Sequence, residues 1–254
     1  MLPGQRPNPQ ERTASRKSAE ATRENKDLIT NARLVNYIHS LEPDQSEILE
    51  EVRKGALAAD VPIIRDETAA LLKCLIRIIN PKRILEIGAA VGYSALIMAE
   101  VMPESATILT VESYEPRIRE ARRNFMHSPY HDRITLVEGD AGELLRRLTE
   151  EKQNFDFIFL DAAKAQYPLW LPHLMRLMRP GAVLVSDNIL QEGSIIESRY
   201  QIARRDRTIH ARMREYLYTL KHTEGLETAI VPIGDGISIS TRYQEDQNDQ
   251  DVNS

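Results

Sequence analysis

The chain has 254 residues, a single cysteine and no long apolar run. One cysteine excludes an internal disulfide and a cysteine-cluster metal site, and it favours a cytoplasmic location because disulfides accumulate in oxidising compartments. Membrane spans need roughly 18 consecutive apolar residues, so we expect no membrane attachment. Cys74 lies in the apolar run between Leu71 and Ile76. Since free cysteines are usually buried, we expect it to be a packed core thiol.

Composition and length fit one soluble α/β domain, with 42% hydrophobic and 28% charged residues. The termini, residues 1–27 and 241–254, are polar, and we expect a disordered arm and a disordered acidic tail around a domain at 28–240. The net charge of −5 argues against general binding to polyanions. Residues 199–221 nevertheless carry seven basic and two acidic side chains, a local charge of +5 (7 − 2). This run is either a solvated helix face or a nucleic-acid surface.

Two short apolar runs end in polar side chains that suit a metal ion. Residues 155–160 read as a buried strand followed by Asp161 and Lys164, and residues 182–186 read as another, followed by Asp187 and Asn188. If both strands are central and parallel, their carboxyl ends open at the same edge of the sheet. Three oxygen donors would then meet beside one lysine, which predicts a hard-metal site next to a possible base. Capping or turn formation by these side chains is the alternative.

A glycine-containing turn predicts a site for a nucleotide-like cofactor. The strand at residues 83–87 is followed by Gly88, Gly92 and a helical pattern, and we expect the glycines to let a ligand approach the backbone. Glu112 ends the next strand, 24 residues after Gly88 (112 − 88). There it is placed to accept hydrogen bonds from ribose hydroxyls, unless it is a surface glutamate. After the third strand, Asp140 is predicted to cap a helix and to face the same crevice, where it could hold the edge of an adenine ring.

The remaining patterns complete an α/β fold. The helix at residues 66–79 is apolar nearly all round and is predicted to be buried against the sheet. A long helix is predicted from Ile195 to His222, and residues 228–240 form a hairpin around the Gly234–Asp235–Gly236 turn. Pro232 suggests that this hairpin lies at the edge of the sheet. The prediction is therefore a seven-stranded, mostly parallel sheet with an antiparallel C-terminal hairpin and helices on both faces.

Over about residues 40–240 these motifs resemble a Rossmann-like class I S-adenosylmethionine (SAM)-dependent methyltransferase. The Asp161-Ala-Ala-Lys164 segment paired with Asp187-Asn188 is similar to the metal-dependent O-methyltransferases of the catechol and caffeoyl-CoA type. This resemblance implies SAM and Mg²⁺ as cofactors, Asp161, Asp187 and Asn188 as metal ligands, and Lys164 as the catalytic base or an electrostatic partner. The residues that it places around SAM are Ile64, Gly88, Ser94, Glu112, Asp140, Ala141 and Asp161.

More narrowly, the chain resembles bacterial tRNA 5-hydroxyuridine methyltransferases. The similarity lies in Gly92-Tyr-Ser94, in the Asp161-to-Tyr167 segment, in the predicted arginine-rich helix and in the ending at residues 228–240. It implies methylation of 5-hydroxyuridine to 5-methoxyuridine at the tRNA wobble position, an anticodon stem-loop as partner, and a homodimer. The arginines expected to contact tRNA are Arg199, Arg204, Arg205 and Arg207.

Two other functions compete with tRNA methylation. The first is O-methylation of a small catechol-like acceptor, which should be insensitive to salt, whereas RNA binding should weaken steeply as salt rises. The second is a NAD-dependent dehydrogenase or a non-catalytic nucleotide-binding module. The missing G-x-G-x-x-G fingerprint argues against the dehydrogenase, and the metal-ligand pattern beside Lys164 argues against the non-catalytic module.

Overall fold

The computed structural model describes residues 31–243, and its centre is a seven-stranded sheet. The strands are β1 Arg83–Ile87, β2 Thr107–Glu112, β3 Ile134–Glu138, β4 Phe155–Leu160, β5 Met178–Ser186, β6 Leu226–Val231 and β7 Ile237–Arg242. Their order in space is β3-β2-β1-β4-β5-β7-β6. Strands β1 to β5 pair in parallel, and β7 runs antiparallel to both β5 and β6. The predicted fold class is confirmed, including the hairpin at the sheet edge.

Helices cover both faces of the sheet. Within the described residues they are α1 Ala32–His39, α2 Glu47–Ala58, α3 Asp66–Ile79, α4 Tyr93–Val101, α5 Glu115–His127, α6 Ala141–Glu150, α7 Tyr167–Leu177 and α8 Arg207–His222. The core on one face includes buried side chains of α2, α3, α4 and α5, and the core on the other includes those of α6, α7 and α8. All six residues of β4 are buried, because the strand is paired on both sides and covered on both faces. This explains the continuous apolar run that marks it in the sequence.

The prediction that Cys74 is a core thiol is wrong. Helix α3 buries one stripe, which contains Leu72 and Ile76, while Cys74 is exposed and Ile78 is 78% exposed. Cys74 is two positions from Leu72 and two from Ile76, and two positions rotate a side chain about 200° around a helix. The helix is therefore buried on one side only, although its composition is apolar nearly all round.

The prediction of one continuous helix from Ile195 to His222 is also wrong. A 3₁₀ segment spans Gln191–Ile196, residues 197–206 form no helix, and α8 begins at Arg207. Glu192 and Gly193 in this 3₁₀ segment have positive φ, but both precede the predicted helix start at Ile195. Residues 197–206 contain only Tyr200, Ile202 and Ala203 as apolar side chains, so they have no continuous apolar face to bury against the sheet.

The predicted termini fall mostly outside the described residues. The arm at 1–27 and residues 244–254 of the tail lie there entirely, so the domain boundaries stay predictions. Strand β7 continues to Arg242, past the predicted start of the tail. There Arg242 pairs with Leu226 in the sheet and donates to the Met175 carbonyl oxygen at 2.6 Å. Among residues 31–243, no helix has the length and apolar character needed to cross a membrane.

Candidate active site

The turn after β1 packs closely against the end of β4 and against α5. Gly88 has a φ of +102°, and a Cβ there would collide with the Asp161 carbonyl oxygen. Gly92 has a φ of +85°, and its Cβ would lie 2.5 Å from the Phe125 ring of α5. Close approach of a ligand was the role predicted for both glycines. The geometry adds a second reason for glycine, because a larger residue would push the turn away from β4 and α5.

Glu112 holds this turn against the end of β2. Its Oε2 accepts a hydrogen bond from the Ala90 backbone N–H at 2.9 Å, and its Oε1 accepts from Ser113 N at 2.8 Å and Tyr114 N at 2.9 Å. The side chain is largely buried but still lines the cavity described next. Three backbone donors therefore fix the Glu112 carboxylate beside the cavity. Its contact with a ribose stays a prediction.

A cavity of about 910 Å³ opens at the carboxyl ends of β1, β2, β4 and β5. All seven residues predicted to contact the cofactor line it: Ile64, Gly88, Ser94, Glu112, Asp140, Ala141 and Asp161. Lys164, Asp187 and Asn188 line it as well. The predicted capping role of Asp140 is confirmed, since its Oδ1 accepts from the Glu143 N–H at the start of α6 at 3.0 Å.

The two carboxylates predicted to bind a metal directly follow the neighbouring strands β4 and β5, and both line the cavity. Backbone bonds hold them there, from Asp161 N to the Ile87 carbonyl and from Asp187 N to the Leu160 carbonyl, both at 3.0 Å. Burial raises the pKa of Asp187 to about 7, and the nearby charge of Asp161 adds to the effect. Residues 31–243 contain no group of three or more His, Cys, Asp or Glu side chains that could hold a metal ion. The predicted ligands are two carboxylates and one amide.

The third predicted ligand, Asn188, is oriented by a residue that the sequence presented only as part of a turn. The Asn188 Nδ2 donates to Asp235 Oδ2 at 3.2 Å, and Arg65 donates to Asp235 Oδ1 at 2.5 Å. The amide nitrogen is thereby engaged, which leaves the amide oxygen to act as a ligand. The sequence placed Asp235 in the turn of the C-terminal hairpin. It did not show that β7 of this hairpin lies beside β5, which the strand order of the structure shows.

Lys164 is held between Asp161 and a buried tyrosine. Its Nζ donates to Asp161 Oδ1 at 2.7 Å and to the Tyr167 hydroxyl at 2.9 Å. That hydroxyl also accepts from Ala162 N and donates to the Leu160 carbonyl, each at 3.1 Å. In the sequence, Tyr167 only ended the Asp161-to-Tyr167 segment of the family resemblance, and no contact with Lys164 was predicted for it. Tyr167 follows Lys164 by three residues, and this spacing was the sequence signal that could have indicated a contact between the two side chains.

The charge state of Lys164 bears on its predicted role as a base. Burial lowers the pKa of Lys164, but Tyr167 and Asp161 raise it through charge and hydrogen bonds, and the net result lies above the ordinary lysine value. Burial also raises the pKa of Tyr167 to about 12. A general base needs a lowered pKa, so this arrangement favours the charged ammonium, and catalysis by Lys164 as a base stays a prediction.

The four arginines predicted to contact tRNA lie away from the cavity, in the segment before α8 and at its first residue. Arg199 and Arg204 are exposed, and their side chains make no hydrogen bond or ion pair within residues 31–243. Arg205 contacts Asp206 at 3.4 Å. Arg207 donates to the Ile202 carbonyl at 3.1 Å, which ties it to the local backbone.

Residues 38–243 match a family model described as O-methyltransferase. The protein belongs to the O-methyltransferase family. It is 30% identical over 234 residues to a caffeoyl-CoA O-methyltransferase of Eucalyptus gunnii, covering 86% of this chain and 91% of that one. A catechol O-methyltransferase of Niastella koreensis is 30% identical over 166 residues, covering 64% of this chain and 75% of that one.

A solved structure of a Bacillus cereus O-methyltransferase, in complex with SAH, has the same fold. Its TM-score to this protein is 0.71 at 26% identity, with 82% of this chain and 96% of that chain covered. The separate family match, from residue 38 to residue 243, spans all seven strands and the residues that line the cavity.

This O-methyltransferase also has a buried acid in the motif before Gly88, for which the sequence indicated no role. Glu86 in β1 is completely buried, and its two carboxylate oxygens accept from the Ser94 and Thr110 hydroxyls, both at 2.5 Å. Burial raises the pKa of Glu86 to about 7. Ser94, predicted to contact the cofactor, therefore also supports Glu86. The register that pairs Glu86 with Thr110 on β2 could not be read from the sequence.

Proposed function

We propose that this O-methyltransferase transfers the methyl group of SAM, with the help of Mg²⁺, to one of two adjacent oxygens on the ring of a small catechol-like acceptor. The observation that carries the proposal is the pairing of Asp161 and Asp187 in the cavity beside Lys164. The family match and the relatives that act on catechol and caffeoyl-CoA acceptors support it.

The cofactor half of the cavity suits SAM. When bound, SAM supplies an electrophilic methyl group on its sulfonium. The glycine turn brings backbone close to the ligand, and Glu112 is held by three amides with lone pairs left for ribose hydroxyls. Asp140 lines the same cavity, and we expect it to hold the edge of the adenine ring. The SAH complex of the Bacillus cereus relative supports this assignment.

The donor set at the strand ends suits a hard divalent cation. Two carboxylates and one amide oxygen are the ligand types that Mg²⁺ prefers. Burial, and then the charge of Asp161, raise the pKa of Asp187, and a bound cation would offset both by favouring the charged carboxylate. Bound Mg²⁺ would lower the pKa of an acceptor hydroxyl and fix its direction. Three protein ligands leave positions for the two oxygens of the acceptor.

Lys164 completes the acceptor side. Tyr167 and Asp161 hold its ammonium at one place in the cavity. In that charged form it would stabilise the negative charge that develops on the acceptor oxygen, and it can take the hydroxyl proton only after it has lost its own. Much of the rate acceleration should come from holding the oxygen in line with the methyl group.

The test is methyl transfer from SAM to a catechol by the purified protein. We expect turnover with Mg²⁺, loss of turnover in chelator, and recovery when Mg²⁺ is added back. Calorimetry with SAH and with NAD tests the cofactor separately. Binding of NAD without binding of SAH would contradict the proposal.

A second candidate acceptor is 5-hydroxyuridine at the wobble position of a tRNA anticodon. The observation that favours it is the local charge of +5 at residues 199–221 in a protein of net charge −5. A 5-hydroxyuracil ring carries a hydroxyl beside a carbonyl oxygen, and this pair can chelate a metal as catechol oxygens do. Mass spectrometry of tRNA nucleosides from cells that lack the protein tests this candidate, which predicts loss of 5-methoxyuridine.

The paired variant Arg204→Glu, Arg205→Glu separates the two acceptors. Because both arginines are exposed and lie outside the cavity, the tRNA candidate predicts that methylation of tRNA falls much further than methylation of a free catechol. An equal fall with both acceptors would contradict the tRNA candidate.

We also propose that the protein forms a homodimer, as its family resemblance implies. Light scattering on the purified full-length protein should give twice the mass of 29.0 kDa. A mass of one chain across the working concentrations would contradict this.

A further inference from the structure

Helix α7 places the one tryptophan of the chain in the wall of the main cavity. Trp170 is 8% exposed, and its ring belongs to the core that α6, α7 and α8 form on one face of the sheet. It lines the cavity together with Asp140, Ala141 and Gly142, which lie at the start of α6. Trp170 is therefore a core residue with one part open to the cofactor half of the cavity.

The indole N–H of Trp170 makes no hydrogen bond within residues 31–243. In the same part of the chain, the fully enclosed side-chain atoms without a partner are Ser46 Oγ, His210 Nε2 and Ser238 Oγ. Trp170 Nε1 is not one of them, so solvent reaches it through the cavity that Trp170 lines. An indole nitrogen can only donate, and the N–H of a buried tryptophan usually has an acceptor. The open N–H therefore points to an acceptor on a bound ligand.

The start of α6 places a carboxylate and further donors beside this N–H. An ideal Cβ on Gly142 would lie 3.2 Å from Trp170 Nε1 and 3.0 Å from Asp140 Oδ1, so these two atoms are at most 6.2 Å apart (3.2 + 3.0). Asp140 Oδ1 accepts from Glu143 N, and Oδ2 makes no hydrogen bond within residues 31–243. The N–H groups of Ala141 and Gly142 have no intrahelical acceptor because they begin α6.

This arrangement fits a neutral group that offers a donor and an acceptor side by side. The Asp140 carboxylate disfavours an anion such as a phosphate at the start of α6, because like charges repel. The 6-amino group of adenine is a donor, and the ring nitrogens N1 and N7 on either side of it are acceptors. Glycine at position 142 keeps this space free, since a Cβ there would crowd both Asp140 and Trp170.

We propose that Trp170 is a specificity-determining residue for the cofactor. Its indole N–H donates to an adenine ring nitrogen beside the 6-amino group, while Asp140 accepts a hydrogen bond from that amino group. The inference rests on the SAM-dependent function proposed above and adds a residue that recognises the base. A tryptophan that merely fills the core would account for the burial of the ring, but not for an N–H left open beside Gly142.

The experiment follows the indole N–H of the wild-type protein by nitrogen–proton NMR. Because the chain has one tryptophan, this group gives one indole resonance, which belongs to Trp170. The protein is titrated with SAH and with three analogues of the same shape, in which C–H replaces N1, N3 or N7 of adenine. SAH should move the indole proton downfield and slow its exchange with water. The 3-deaza analogue is the control and should do the same, because N3 lies on the far side of the ring from the amino group.

One analogue, 1-deaza or 7-deaza, should lose both effects and thereby identify the acceptor. Trp170→Phe keeps an aromatic ring and removes the N–H, and calorimetry should show SAH binding weakened about fivefold, as the loss of one hydrogen bond does. For the analogue that lacks the acceptor, the variant and the wild type should agree within about twofold. The control is Leu171→Val, a neighbouring core position of α7 that does not line the cavity. It should lower the melting temperature and leave SAH affinity within about twofold of the wild type.

Equal indole shifts with SAH and all three analogues would overturn the proposal and show that Trp170 only packs. An equal loss of affinity for SAH and for every analogue in Trp170→Phe would overturn it as well. If SAH binds and the indole resonance does not move, this inference fails while the proposed function stands. If SAH does not bind at all, the proposed function fails and this inference fails with it. If Trp170→Phe does not fold, the titration of the wild type carries the test.

Discussion

The Asn188 amide donates to Asp235 at 3.2 Å, and this contact joins the C-terminal hairpin to the proposed metal site. The hairpin reaches the site because β7 is the spatial neighbour of β5, whose end carries Asp187 and Asn188. Asp235 thus acts through Asn188, as partners of metal ligands commonly do.

Asp235→Ala should weaken binding of Mn²⁺, used as a probe for Mg²⁺, by about tenfold, since removing such a partner typically has an effect of this size. The matched control is Arg65→Ala, which breaks the ion pair on the other side of Asp235 and leaves the acceptor of Asn188 in place. Calorimetric Mn²⁺ titration measures both. Equal weakening in the two variants would show that Asp235 serves only its ion pair with Arg65.

Tyr167→Phe should lower kcat for methyl transfer, because it removes a hydrogen-bond partner of the Lys164 ammonium. It should also cost about 1–2 kcal/mol of unfolding free energy, because Ala162 N loses a buried partner. The control is Tyr216→Phe, which removes another fully buried tyrosine hydroxyl, bonded to Ser186 at 2.7 Å. We expect the two variants to lose similar amounts of unfolding free energy. Only Tyr167→Phe should also lower kcat. A matching fall in kcat for both would contradict a role for Tyr167 in holding Lys164.

Glu86→Gln should stabilise the protein more at pH 8 than at pH 5. Burial raises the pKa of Glu86 from 4.5 to about 7, so the folded state binds a proton that the unfolded state releases between these values. The unfolding free energy of the wild type therefore falls as pH rises through this window, by about 2 kcal/mol between pH 5 and pH 8. Urea denaturation at the two pH values measures the effect.

Glutamine cannot ionise, so Glu86→Gln should remove the Glu86 share of this pH dependence and leave the share of Asp187, whose pKa is also raised to about 7. The exposed Glu104→Gln variant is the control and should keep both shares. A wild type and a Glu86→Gln variant with the same pH dependence would show that Glu86 ionises normally.

Gly92→Ala should destabilise the protein by about 1–3 kcal/mol and weaken SAH binding, because alanine is strained at positive φ and its Cβ meets the Phe125 ring. The control is Gly55→Ala in α2, where a Cβ meets no atom within 4 Å. That change should stabilise the helix by about 0.5–1 kcal/mol. Denaturation curves and SAH calorimetry test both variants. Unchanged SAH affinity in Gly92→Ala would mean that the turn does not shape the cofactor site.

The sequence predicted those parts of the fold and site that depend on local pattern. The buried run of β4 and the polar residues that follow β4 and β5 were visible because a central parallel strand is apolar throughout and its carboxyl end faces the crevice. All ten residues predicted for the cofactor, the metal and catalysis line one cavity.

What the sequence did not reveal depends on contacts between distant segments. Asp235 meets Asn188 only because β7 is inserted beside β5, and Glu86 meets Thr110 only through the register of β1 with β2. The exposure of Cys74 follows from which stripe of α3 faces the sheet, a choice that an apolar composition leaves open. The break before α8 falls at residues 197–206, whose few apolar side chains form no continuous face to bury against the sheet.

The central claim is that a divalent cation held by Asp161, Asp187 and Asn188 is required for methyl transfer, and Asp187→Ala tests it most directly. Methyl transfer from SAM to a catechol is measured with Mg²⁺ and with chelator, and SAH affinity is measured on the same protein. We predict that the variant loses Mg²⁺-dependent turnover while its SAH affinity stays within about threefold of the wild type. Full turnover by the variant in the presence of chelator would contradict the account.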